Sequence, residues 1–258
     1  MGVISTCRHR ASAATLPVPT APNGPPRPAG RRPRVFVRTA TTYDLSAMAG
    51  LHVAHLPIGF FPRLGTGFVA RWQAAFLDSP HAIGLVAIER SDDASAETVV
   101  GFLVGTTDRR AFRRELLRRH RGALIRHGVF ALVVRPRLLA TFLRGRATTY
   151  AARLWQRGRS GTPTAQPLES EEPVSELTAV AVDPGARGAG VGRRLIEIYL
   201  DRCTSLGVSW VELVTATEPD SAVRFYEHTG WTWLYRSQTR DGVPVAHFGR
   251  CLATTDRA

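Results

Sequence analysis

One run constrains this chain more than any other. Leu177-Thr178-Ala179-Val180-Ala181-Val182 is followed by Asp183-Pro184-Gly185-Ala186 and then by Arg187-Gly188-Ala189-Gly190-Val191-Gly192. The first six residues read as a buried strand, the next four as a turn. The last six lead into a helix carrying Leu195, Ile196, Ile198, Tyr199 and Leu200. A strand that enters a glycine-rich turn at a helix amino terminus makes an anion site. Glycine lets the backbone approach closely, and the unpaired N–H groups and the helix dipole stabilise negative charge. The spacing G-x-G-x-G is not the G-x-G-x-x-G of a dinucleotide-binding turn. All 34 basic residues are Arg, so a phosphate loop requiring Lys is excluded, as are a pyridoxal Schiff base and a Ser-Lys dyad.

The rest of the chain supplies regular elements around this run. Val35–Arg38 reads as a first strand, and Asp44 as the N-cap of a helix to about His55. A second helix runs through Phe68, Trp72, Ala75 and Phe76, and strands fit Ile83–Glu89 and Thr98–Gly105, joined by a hairpin loop at Ser91–Glu97. Downstream, a strand at Trp210–Thr215 precedes Ala222-Val223-Arg224-Phe225-Tyr226-Glu227-His228-Thr229-Gly230-Trp231.

Together the two motifs resemble the GNAT (GCN5-related N-acetyltransferase) superfamily. Its signature has a strand ending in Val-x-Pro, then Arg/Gln-x-x-Gly-x-Gly/Ala, filled here by Val182, Pro184, Arg187, Gly190 and Gly192. The second stretch is similar to the family's Ala-x-x-x-Tyr helix, which closes on Gly and an aromatic residue. Where the family often has Asn, this chain has Pro219. The resemblance covers residues 176–235.

It implies an α/β (α+β) acyl-CoA N-acyltransferase fold, with a mixed central sheet splayed between strands 4 and 5 and a helical insertion before strand 4. It also implies acetyl-CoA as co-substrate and direct attack by a primary amine. The backbone of Val180, Ala181 and Val182 would hold the pantetheine arm. Arg187, Gly188, Ala189, Gly190, Val191 and Gly192 would hold the pyrophosphate. Tyr226 matches the family's general acid and Glu176 a general-base position used in some branches. A water-mediated base, through Glu218 or Asp220, is the other route. The competing readings are a non-catalytic acyl-CoA-binding regulatory module and a membrane-surface adaptor.

Charge is unevenly placed. Residues 109–159 hold 15 Arg against Glu115 alone, and residues 1–34 hold 6 Arg and no acid, leaving 13 basic against 20 acidic elsewhere. The net charge of +13 therefore belongs to two segments, which argues against nucleic acid as the partner of the whole chain. Residues 1–34 read as a disordered Pro/Arg-rich tail, and 35–258 as one domain. Within it, 109–159 reads as a basic helical insertion of three helices, around Phe112, from Leu124 to Val134, and from Pro136. Its readings are a lid over a small-molecule or peptide acceptor (its Arg residues suiting an anionic one), a homodimer surface, an interfacial pair on anionic lipid, a nucleic-acid contact, and a solvated Arg face over an ordinary apolar core. Cys7, Cys203 and Cys251 have no paired spacing, and neither His52 with His55 nor His120 with His127 has ligand partners. Reduced thiols, no metal site and a cytoplasmic location are expected.

Overall fold

The computed structural model describes residues 34–56, 59, 61–90, 97–133, 174–218, 221–239 and 242–252. Strand β1 (Arg34–Thr39) leads through a 3-10 turn into α1 (Leu45–His55) and α2 (Thr66–Asp78). Next come β2 (Ala82–Arg90), β3 (Glu97–Thr106), α3 (Arg109–Glu115) and α4 (Arg121–Val133). Then β4 (Ser175–Val182), α5 (Val191–Ser205), β5 (Trp210–Ala216), α6 (Ser221–His228), β6 (Thr232–Gln238) and β7 (Pro244–Cys251) complete the chain. The strands form one seven-stranded sheet in the order β1-β2-β3-β4-β5-β7-β6. Its neighbours are antiparallel except β4 and β5, which the α5 crossover makes parallel.

Two apolar clusters lie on opposite faces. One gathers Leu195, Ile196, Tyr199 and Cys203 of α5 and Tyr226 of α6 against β4, β5 and β7. The other gathers Met48 of α1 and Phe68, Trp72 and Phe76 of α2 against β2, β3 and β4. The spacing of the α5 apolar residues puts them on one helical face, as a helix crossing a sheet requires. The Tyr199 hydroxyl donates to the Thr106 carbonyl at 2.9 Å. Gly105 makes room for it, since a Cβ there would lie 2.6 Å from Tyr199 Cε2.

Two expectations are corrected. Asp44 does not cap α1. Its carboxylate is held by Arg38 at 2.7 and 2.8 Å and by the Thr41 N–H at 2.7 Å. A salt bridge across the first strand thus takes up the oxygens that a cap would need. The first two insertion helices are not separate either, because a π-turn at Leu116–His120 joins α3 to α4 without a break. The expected third helix from Pro136, the tail at 1–33, most of the Ser91–Glu97 hairpin loop, and Pro219 and Asp220 lie outside the described residues. Strands β6 and β7, past the second motif, have no counterpart in the elements read from sequence.

Candidate active site

The glycine turn meets β4 at its carboxyl end. Gly188 and Gly190 both sit at φ +78°, a left-handed conformation in which other residues are strained. Gly190 is the N-cap of α5 and supplies no side chain to cap it. The helix's own bonding begins with Arg194 N–H to Gly190 C=O at 2.9 Å, so the N–H groups of Val191, Gly192 and Arg193 have no intrahelical acceptor. Arg187, Gly188, Ala189 and Gly190 are exposed, while Val191 at 4% exposure anchors the turn in the core. A Cβ on Gly192 would lie 3.6 Å from Val182 Cγ2 and 3.9 Å from Phe225 Cζ. The turn, the end of β4 and α6 therefore converge on one spot.

Strand β4 leaves β5 after three paired residues. Ser175, Glu176 and Leu177 pair with Val211, Glu212 and Leu213, and the pairing stops there. Beyond it, β4 runs on to Val182 and β5 to Ala216, so a gap opens between them. A bulge accompanies the parting: Val104 pairs with Ala179 and Gly105 with Leu177, leaving Thr178 without an opposite number. The extra residue puts Leu177, Val180 and Val182 together beneath α5, and Ala179 and Ala181 with α1 and α2.

The direction of the backbone groups follows from the register. Asp183 N–H bonds to Val100 C=O at 2.8 Å. In an antiparallel pair hydrogen-bonded positions alternate, so Ala181 also turns its groups to β3, opposite Phe102. Val180 and Val182 must then turn theirs away from β3 and into the gap. Arg187 Nε donates to the Val182 carbonyl at 3.1 Å, in keeping with that direction. Two concavities of about 520 and 430 Å³ share Pro80 and His81; the smaller is also lined by Thr107, which bonds Ser175 at the opposite end of β4.

The two titratable residues singled out by sequence sit in contrasting surroundings. Tyr226 is 6% exposed, its ring against Phe225, Trp231 and Phe248 at centroid distances of 5.3, 5.9 and 5.9 Å. Burial pushes its phenol well above the usual range, so the hydroxyl keeps its proton. Glu176 lies where the strands part. Burial raises its carboxyl, Arg109 opposes the rise, and Glu212 adds to it. Arg109 Nη1 lies 3.8 Å from Glu176 Oε2 and 3.9 Å from Glu212 Oε2. Glu212, paired in register with Glu176, escaped sequence reasoning. Its only signal was a carboxylate inside an otherwise apolar strand.

A sheet parted between its parallel strands, with a glycine turn at the head of the crossover helix, is the arrangement of the GNAT acyltransferases. The model of the acetyltransferase (GNAT) family matches residues 145–231 of the chain. Among curated relatives, the mycothiol acetyltransferase of Nocardiopsis dassonvillei is 39% identical over 81 residues, 30% of this chain and 24% of that protein. That of Beutenbergia cavernae is 44% identical over 57 residues, 22% and 19% of the two chains. The chain thus covers about a quarter or less of the length of these two relatives. Among solved structures, Arabidopsis thaliana NAA60 in complex with acetyl-CoA has a TM-score of 0.52 at 12% identity, over 85% of this chain and 99% of that one. A phosphinothricin acetyltransferase from Sinorhizobium meliloti in complex with AcCoA has 0.51 at 14%, over 87% and 91%. At such identities the likeness is one of fold.

Proposed function

We propose that this chain moves an acetyl group from acetyl-CoA to a primary amine by direct attack. The observation that carries the reading is the gap between β4 and β5, into which Val180 and Val182 turn backbone groups that no neighbouring strand pairs, and which ends at an uncapped glycine turn. These features suit a long ligand with amide groups along its arm and a diphosphate at its end. Val180 and Val182 would pair with the arm as a neighbouring strand does. The amides from Gly188 to Gly192, with Ala189 and Val191 between them, would grip the diphosphate, helped by Arg187. Bound there, acetyl-CoA would supply an activated acyl carbonyl and a thiol leaving group.

The protein's own tasks are then three. The Val180 N–H donates to the acyl oxygen as charge develops there. The Glu176 carboxylate accepts the proton that the amine must lose. Tyr226 Oη gives a proton to the departing sulfur while the new C–N bond forms and the C–S bond breaks. Tyr226 holds its proton at neutral pH, as a donor to the departing sulfur must, although burial also makes it a weaker acid. The acceptor is not carried over from the relatives, whose matched stretches are short.

Thiol release from acetyl-CoA over an amine panel, with titration calorimetry beside it, tests the reading. Binding with turnover is expected. Binding without turnover on any amine would favour a regulatory acyl-CoA-binding module, and no binding by folded protein would remove the assignment altogether.

A further inference from the structure

Helices α1 and α2 cover the sheet only as far as β4, so among the described residues the β5-β7-β6 half has no helix packed on that side. Val214 of β5 is 47% exposed there and Tyr235 of β6 is 55% exposed. Tyr235 stacks on His247 of β7 with ring centroids 4.1 Å apart and planes at 17°. The His247 Nε2 is 2.8 Å from Ser237 Oγ, which holds the stack in place. The result is a flat aromatic and aliphatic wall.

At the seam beside this wall stand Glu176 and Glu212, directly opposite one another. Both alternate with residues buried beneath α5, so both side chains rise on the open face. Arg109 approaches each carboxylate at a separation too long for a hydrogen bond. One guanidinium is thus shared between two carboxylates. A separate feature marks the same place. Thr106, the cross-strand neighbour of Glu176, is 2% exposed, yet its hydroxyl has no hydrogen-bond partner. Cross-strand neighbours share a face, so that unsatisfied hydroxyl lies on the side of the two carboxylates. A buried polar group without a partner is costly and uncommon.

We infer that Thr106, Glu176 and Glu212 form the acceptor seat, and that the acceptor is an ammonium-bearing primary amine with an apolar or aromatic arm and no anionic substituent. This rests on the acetyl-transfer reading above and names its second substrate. An ammonium has three donors to share between two carboxylates and a hydroxyl, and its charge attracts the two carboxylates that Arg109 approaches only at a distance. Its arm then lies along Val214 and Tyr235. A phosphate or sulfonate on the acceptor would face the two carboxylates at close range, and like charge disfavours it.

The test uses the full chain at saturating acetyl-CoA, with phenethylamine and agmatine set against taurine and glucosamine 6-phosphate. The two cations are expected to exceed the two anionic amines by roughly a hundredfold in kcat/KM. Glu212→Gln is expected to raise the KM for phenethylamine about tenfold while the acetyl-CoA Kd stays within about twofold. Tyr235→Ala, at an exposed position that folding tolerates, should raise the KM for phenethylamine more than that for agmatine. An anionic amine used as well as the cations, or unchanged KM values in both variants, overturns the inference. So does a wild-type protein that binds acetyl-CoA yet acetylates none of the four. Absence of acetyl-CoA binding overturns the acetyl-transfer reading instead, and the calorimeter separates the two failures.

Discussion

Tyr226 and Glu176 were both legible as residues, but their environments were not. The Ala-x-x-x-Tyr spacing singled out the tyrosine, and only packing against Trp231 and Phe248 shows why its phenol would hold a proton. Tyr226→Phe is expected to lower kcat by about a hundredfold with little change in the acetyl-CoA KM, as loss of a proton donor in the transition state should. Glu176 carries a stability cost. Its folded-state pKa is raised, so the folded protein binds that proton more tightly than the unfolded chain does. The favourable contribution exists below the unfolded pKa and is lost as pH rises through the folded value. Glu176→Gln should therefore raise the melting temperature at neutral pH while lowering turnover, and a scan at pH 7 beside a rate assay checks both. His52 works in the opposite sense. Burial against Trp72 and Phe102 lowers its pKa from 6.5 to about 4. Its neutral form stabilises the fold above pH 6.5, and that stability drains away as pH falls toward 4. His52→Phe should flatten the melting temperature over that interval.

At the scale of elements, the glycine turn and α5 were the most readable part. Left-handed turns and one-sided apolar helices leave strong marks in sequence. Gly190→Ala puts a side chain at φ +78° and should cost about 1 kcal/mol of stability. Nothing lies within 4 Å of a Cβ built there, so any excess loss of acetyl-CoA affinity reports the turn's distortion rather than a clash. Gly105 gives the contrary case. A side chain there meets the Tyr199 ring and its bond to Thr106, so Gly105→Val should cost about 2 kcal/mol in urea unfolding. The joined α3–α4 run was misread because apolar periodicity slips by one position at the π-turn, which looks like a helix end.

The whole molecule is a sheet held across its middle by three paired positions, between β4 and β5. The α5 crossover and its apolar cluster keep the two parts together, since Leu195 and Tyr199 share one core with Phe248 and Val211. A ligand pairing with β4 along the gap would join the two parts further. At about a hundred times its Kd, such a ligand adds ~2.7 kcal/mol. In a chain of this size that is about 5–10 °C in melting temperature. Differential scanning fluorimetry with acetyl-CoA measures it, and a comparable shift with acetate alone would contradict the geometry.

The amino-acid order by itself determined the strand, the glycine turn, the helix behind it and the tyrosine downstream, because each depends on φ, on side-chain period or on short spacing. It did not determine that Glu212 stands opposite Glu176, that Arg109 reaches both, or that Tyr235 and His247 stack into a wall. Those contacts join α3, β4, β5, β6 and β7, the longest across 103 positions of chain, from Arg109 to Glu212. Register and the bulges at Thr178 and Leu234 choose which of these side chains share a face, and a shift of one residue would exchange them.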